Sequence, residues 1–284
     1  MKAENRFLGQ PLEFWANIKL ISQKLGYTER NTSRIKVPSL DEIRQAYVKM
    51  HLGPSRVIMS TGPTDFGNLL AEYFEHRAEF LNEYARPRLM NKNKAQALFN
   101  KLKKELSPHC PLPMNKQKGS KRNYAFFTGI VNMLIEANVG NHSCDYDPKE
   151  LTSFTKDGFP VRSLSRRIDG AFPSVVNPVA IWEIKEYYYT TTFGSRVADG
   201  VYETLLDGLE LNEVRQALNL QVKHYLMIDD FNTWWNMGRS YLCRICDMLH
   251  MGLLTEALFG DEVIERVPHI VKEWKYQIEH PARE

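Results

Sequence analysis

Residues 166–186 read RRIDGAFPSVVNPVAIWEIKE. Within them, Val179 to Tyr187 reads as a strand, rich in β-branched and aromatic residues and opened by Pro178. Side chains alternate along a strand, so Ile181, Glu183 and Lys185 share one face. Trp182, Ile184 and Glu186 share the other. A carboxylate and an amine on one face of an apolar strand are costly unless they find partners. Upstream, Arg167-Ile168-Asp169-Gly170-Ala171 reads as the end of a neighbouring strand closed by Gly170. Pairing the two strands sets Asp169 beside Glu183. Two carboxylates with Lys185 at a strand edge make a divalent-metal site with a cationic neighbour.

Working upstream, the return strand extends from about Val161 to Ala171. Lys156-Asp157-Gly158 is a hairpin turn, because Asp-Gly accepts the positive φ such turns need. Leu151 to Thr155 is the strand before it. Residues 123–138 form a strongly apolar helix whose only charge is Glu136. Working downstream, Ser195 caps a helix over 196–209, helical pattern resumes at 213–219, and Val222 to Asp229 reads as a further strand. Residues 239–260 read as a helix or two, with Cys243, Cys246 and His250 on one stripe. Those three are small buried side chains or part of a zinc site that lacks an evident fourth ligand. The tail from Asp261 is amphipathic.

The N-terminal part reads as α-helical. Residues 11–26 carry Phe14, Ile18, Ile21 and Leu25 at helical spacing, and Gly26 ends them. Ser39 and Glu42 form a capping box for the next helix. These two helices are ordinary packing elements or a helix-turn-helix reader. A long helix runs from Thr64 or Asp65 to about Tyr84, and Arg86-Pro87 breaks it. Residues 92–106 make a short basic helix, and the proline-rich stretch 107–122 reads as a basic linker. The expected organisation is therefore a helical region over 1–106, a linker over 107–122, and an α/β (α+β) core over 123–284 with a mixed sheet flanked by helices.

With 284 residues the chain can bury a full core, and 43% hydrophobic against 25% charged residues is ordinary for a globular protein. No apolar run approaches the ~20 residues that span a bilayer. The first residues lack the apolar core of a signal peptide, and the four cysteines form no dense framework, so the expected compartment is the cytoplasm. The net charge of +3 is uneven: residues 92–122 hold nine Lys or Arg against Glu105 alone. That block is a solvated face or a phosphate-binding one, through Lys101, Lys103, Lys104, Lys116, Lys118, Lys121 and Arg122.

Asp169 with Glu183-Ile184-Lys185 resembles the signature of the PD-(D/E)xK nuclease superfamily, which includes many type II restriction endonucleases. The resemblance covers residues 123–230. Asp147-Pro148-Lys149 and Glu273-Trp274-Lys275 also match the short motif, but the first carries a proline and the second lies in a helical tail. Ile168 stands where the motif's name has proline. Gln221 and Tyr225 match a glutamine-tyrosine motif literally, although that motif belongs on a helix and Tyr225 falls in a strand pattern.

The resemblance implies an α-β-β-β-α-β core, a restriction-endonuclease-like sheet, and Mg²⁺ or Mn²⁺ held by Asp169 and Glu183. In some members a glutamate from the helix under the sheet faces the metals, so Glu136 is either that ligand or a helix-end glutamate pointing to water, and the resemblance implies that Lys185 orients the attacking water. It implies hydrolysis of double-stranded DNA to 5′-phosphates by a homodimeric restriction enzyme. Another defence or repair nuclease, or a non-catalytic DNA-binding protein, are the alternatives.

Overall fold

The computed structural model describes residues 1–29, 31–115, 123–189 and 194–280. Local signals set the N-terminal helices. Helix α1 (Leu12–Leu25) ends at Gly26, whose φ of 84° suits a residue without a Cβ. Helix α2 (Leu40–Lys49) starts at the reciprocal Ser39–Glu42 capping box. A short hairpin, β1 (Ile58–Met59) with β2 (Gly62–Pro63), precedes α3 (Asp65–Glu79), whose Gly67 N–H is capped by the Thr64 hydroxyl. Phe14, Ile18, Ile21, Ile43, Leu70 and Phe74 close one apolar cluster among these helices. Pro87 does not break the chain's helical course. A π-helical turn over Phe80–Ala85 leads directly into α4 (Arg86–Arg88), which carries Pro87 in its first turn.

Helix α5 (Lys92–Leu106) is capped by Asn91 and lies against α6 (Phe126–Val139). Ala95, Phe99 and Leu102 of α5 belong to the same apolar cluster as α6 and the sheet. The stretch after α5 has the composition of a linker, yet α5 shares the core that follows it. Contact is close: a Cβ on Gly129 would lie 2.4 Å from the Phe99 ring.

The central sheet is mixed and five-stranded. Its members are β3 (Asp145–Tyr146), β6 (Gly170–Phe172), β7 (Ala180–Glu186), β8 (Lys223–Asp229) and β9 (Glu256–Phe259), in that spatial order. The pairs β3–β6 and β6–β7 are antiparallel, whereas β7–β8 and β8–β9 are parallel. Helix α7 (Ser195–Leu218) crosses over between β7 and β8, and α8 (Arg239–His250) between β8 and β9. The chain ends its described course in α9 (Glu262–Glu279). Trp182, Ile184, Tyr225 and Met227 face α6 and α9, with Trp182 stacked on Trp274 at 5.3 Å. Ile181 faces the α7 residues Leu211 and Val214, and Leu226 and Ile228 face α8.

Three expectations need correction. The strand expected from Val161 to Ala171 is two strands. β5 (Phe159–Ser163) pairs only with β4 (Ser153–Lys156), as a separate hairpin outside the central sheet. Ser165 and Arg166, between β5 and β6, are drawn to α7 by its buried Glu210 and Asp207, which ends the strand. Secondly, α7 runs 24 residues through Asn212 without a gap. Thirdly, the helix expected over 239–260 ends at His250, and the remainder turns at Gly252 (φ 75°) into β9. No helix among the described residues is long and apolar enough to cross a membrane.

Residues 1–84 meet the later part of the chain through an apolar cluster, in which Ile35, Ala78, Phe80 and Leu81 pack with Trp234, Leu242 and Phe259, and through polar groups. Arg77 on α3 and Asp247 on α8 form a buried pair, with Nη1 at 3.1 and 3.2 Å from the two carboxylate oxygens. Tyr73 donates to Asp247 at 2.7 Å, and Arg77 Nη2 donates to Ser22 on α1 at 3.0 Å. Tyr84 donates to Glu262 at 2.7 Å. Cys243 and Cys246 are buried and free, and His250 turns Nδ1 to the Cys246 carbonyl at 2.8 Å.

Candidate active site

Antiparallel pairing of Gly170 with Trp182 sets the residue before Gly170 opposite the residue after Trp182, so Asp169 lies beside Glu183. Two backbone N–H groups tie the strands at this point. The Asp169 N–H donates to Glu183 Oε1 at 3.2 Å, and Asp169 Oδ2 accepts the Ile184 N–H at 2.7 Å. Lys185 Nζ donates to Glu183 Oε2 at 2.6 Å. The structure thus brings together Asp169, Glu183 and Lys185, on the sheet face covered by α7. Gly200 of α7 makes room for them: a Cβ there would lie 3.2 Å from the Lys185 stem.

Three further residues complete the cluster, and the sequence reading did not place them in it. Arg166 lies in the segment between β5 and β6. Its guanidinium bonds Asp207 Oδ2 at 2.6 Å, Glu183 Oε1 at 3.0 Å and Oε2 at 3.1 Å, and reaches Glu203 at 3.4 Å. Glu203 also accepts from Lys185 at 3.1 Å. Asp207 is buried, and its Oδ1 has no hydrogen-bond partner among the described residues. Asp199, Glu203, Asp207 and Glu210 recur at helical spacing on α7. That row was the available signal: acids in register with a strand bearing a lysine.

Electrostatics follow from this arrangement. Four carboxylates (Asp169, Glu183, Glu203, Asp207) face two cations (Arg166, Lys185), so full ionisation leaves two negative charges in excess. Burial, with the Glu183 charge adding to it, pushes the Asp169 carboxyl up to about 6 despite Lys185. Burial and then Glu183 push Asp207 up to about 7. Burial also acts to raise Glu183, but Lys185 and Arg166 outweigh it and hold that carboxyl below its ordinary value. For Lys185, burial acts downward and Glu183 reverses it, so the amine stays protonated.

The donor chemistry fits a hard divalent ion. Asp169 Oδ1 accepts no hydrogen bond from a described residue, Asp207 Oδ1 has no partner among the described residues, and full ionisation would leave two negative charges in excess. Glu183 is the exception, because Arg166, Lys185 and the Asp169 N–H together fill its lone pairs. Among the described residues no three His, Cys, Asp or Glu side chains converge as a metal-binding group.

The other expected site residues lie elsewhere. Glu136 is not in the cluster. Both its oxygens accept the His109 N–H, at 3.0 and 3.1 Å, so it fastens the loop after α5. It stands nine residues along α6 from Phe127, about 13 Å at helical rise. The acid that α6 does meet is Glu186, which accepts the Phe127 N–H at 2.7 Å and is pushed up to about 7 by burial. Lys101, Lys103 and Lys104 are exposed on α5, with Lys103 donating to the Tyr124 hydroxyl at 3.3 Å. Lys116, Lys118, Lys121 and Arg122 lie outside the described residues.

A family model described as Domain of unknown function (DUF7687) matches residues 90–274, more than half of the 284-residue chain. The chain belongs to the DUF7687 family. A second model, Domain of unknown function (DUF7690), matches residues 1–84. No curated protein and no solved structure matches the chain. The DUF7687 segment begins at Met90, so it takes in α5 as well as the sheet. All six residues of the charged cluster lie inside it. The polar contacts of Arg77 and Tyr84 join the DUF7690 segment to DUF7687 residues of α8 and α9.

Proposed function

We propose that this chain is a Mg²⁺-dependent nuclease of PD-(D/E)xK type that hydrolyses phosphodiester bonds of double-stranded DNA. One observation carries the reading: at the edge of β6 and β7 Glu183 accepts the Asp169 N–H and Asp169 accepts the Ile184 N–H, while Lys185 sits on Glu183. The element order supports it, since α6, β3, β6, β7, α7 and β8 follow the α-β-β-β-α-β sequence that the resemblance implies.

Asp169 and Glu183 are the residues that would hold the ion, with Mn²⁺ able to replace Mg²⁺. The bound ion supplies a water of lowered pKa and neutralises charge developing on the phosphate. Lys185, kept protonated by Glu183, acts as a fixed cation that orients water or stabilises hydroxide, not as a general base. The exposed lysines of α5 offer phosphate contacts that position the duplex. The finer reading is a cytoplasmic homodimeric type II restriction endonuclease leaving 5′-phosphates, because cutting both strands of a symmetric site needs two active centres.

The test is incubation of the full chain with plasmid and Mg²⁺, with and without EDTA. Discrete bands that vanish with EDTA support a restriction enzyme, and a metal-dependent smear supports another nuclease. Intact but retarded DNA points to a binding protein. Glu183→Ala and Lys185→Met should each abolish cleavage, and wild-type cleavage by Glu183→Ala would overturn the assignment.

A further inference from the structure

Arg166 occupies the position where a metal-binding Glu183 would need free lone pairs. Its guanidinium bridges both Glu183 oxygens and one oxygen of Asp207. Divalent cation and guanidinium therefore compete for one carboxylate. A displaced arginine needs a new partner, because Arg166 is only 22% exposed and an unpaired charge in a largely desolvated site is disfavoured. Asp207 meets that need. Its side chain is fully buried, it already holds Arg166 at 2.6 Å through Oδ2, and its Oδ1 has no partner among the described residues. A buried carboxylate oxygen without a partner calls for an explanation, and a second guanidinium N–H is the donor nearest to hand. Two parallel N–H···O bonds are the arrangement that arginine and carboxylate favour. Glu203, one helical turn before Asp207, lies 3.4 Å from the other terminal nitrogen, Nη2.

We infer that Arg166 is a two-position stand-in cation: without metal it bridges Glu183 and Asp207, and divalent-ion binding transfers it wholly onto Asp207 and Glu203. This rests on the metal-dependent reading of the site above. Asp207 is then not a metal ligand but a positioning residue, and its free Oδ1 is the acceptor for the second state. The device keeps a surplus-acid cluster neutralised until an ion arrives. It also makes ion binding weaker than the carboxylates alone would allow, by the stability of the Arg166–Glu183 contact.

The experiment measures Mn²⁺ binding to the full chain by electron paramagnetic resonance, with no DNA present. Arg166→Gln should bind Mn²⁺ about tenfold more tightly or better, since a competing charge within a few ångströms is gone. Asp207→Asn should weaken binding in the wild-type background, where it removes the second seat of Arg166. It should leave binding unchanged in the Arg166→Gln background, because nothing then needs the seat. Equal weakening by Asp207→Asn in both backgrounds would make Asp207 a ligand and overturn the inference. Unaltered affinity in Arg166→Gln, with loss in Asp169→Asn, would refute the role of Arg166 and leave the metal reading standing. No Mn²⁺ binding by either protein would remove both. If circular dichroism shows that Arg166→Gln does not fold, Arg166→Lys replaces it. A single ammonium cannot bridge the two carboxylates, so tighter Mn²⁺ binding is again expected, and unchanged binding refutes the inference.

Discussion

Replacing Arg77 by methionine removes a buried charge and leaves Asp247 behind. Arg77 and Asp247 side chains are 1% and 4% exposed, and three guanidinium bonds hold the pair and Ser22 together. After the substitution Asp247 keeps, among the described residues, the Tyr73 hydroxyl at 2.7 Å as its side-chain donor. Breaking one side of a buried ion pair destabilises by about 3–5 kcal/mol. Unfolding entropy of about 2.1 cal/mol/K per residue gives roughly 0.6 kcal/mol/K for 284 residues, so Tm should fall by about 5–8 °C. Urea unfolding and calorimetry at neutral pH read both quantities. The double variant Arg77→Met with Asp247→Leu should recover most of the loss, to within about 2 kcal/mol, because no charge is then stranded. A loss below about 1 kcal/mol in Arg77→Met would show that Asp247 is hydrated or protonated, and would refute the reasoning.

Asp229 accepts the Met90 N–H at 2.7 Å and the Tyr188 hydroxyl, and burial pushes its carboxyl from 3.8 up to about 8. The folded chain therefore holds a proton that the unfolded chain releases, and stability should fall as pH rises between those values. Asp229→Asn should gain on wild type by up to about 1.4 kcal/mol per pH unit across that window, and a difference independent of pH would contradict it. Gly170→Ala should destabilise by about 1–3 kcal/mol and disturb the near-ultraviolet tryptophan signal. Its new Cβ would lie 2.1 Å from the Trp182 ring, and native-like stability would show that β6 and β7 are not paired in this register. Lys101→Gln with Lys104→Gln should reduce the slope of log affinity for DNA against log salt by about 0.9 per lost phosphate contact, and an unchanged slope would leave α5 a solvated face.

The motif pair was legible because strand alternation is local: Glu183 and Lys185 share a face whatever surrounds them. Asp169 was legible because Gly170 punctuates the strand that must pair with β7. Arg166 was not, because its role depends on α7 lying across the strand face, a contact between residues 41 apart in sequence. Asp207 lies with Asp199 and Glu203 on the polar side of α7, which composition alone would leave to solvent, and it is buried. β9 was hidden for another reason. Glu256-Ala257-Leu258-Phe259 is short, fully buried and made of residues that suit a helix, so no periodicity separates it from α8. Glu136 was a candidate ligand through the resemblance alone, and it is the first turn of α6, through the Phe127 N–H, that meets an acid of β7, Glu186.

The seam between the two family segments also has a consequence for the order of events at the ribosome. Arg77 must wait 170 residues for Asp247, and Tyr84 waits 178 for Glu262. At about 5–20 residues per second that interval is roughly 10–30 s, during which the emerged α1, α2 and α3 carry an unmatched guanidinium. The nascent N-terminal helices are thus a natural client for holding chaperones until α8 and α9 appear.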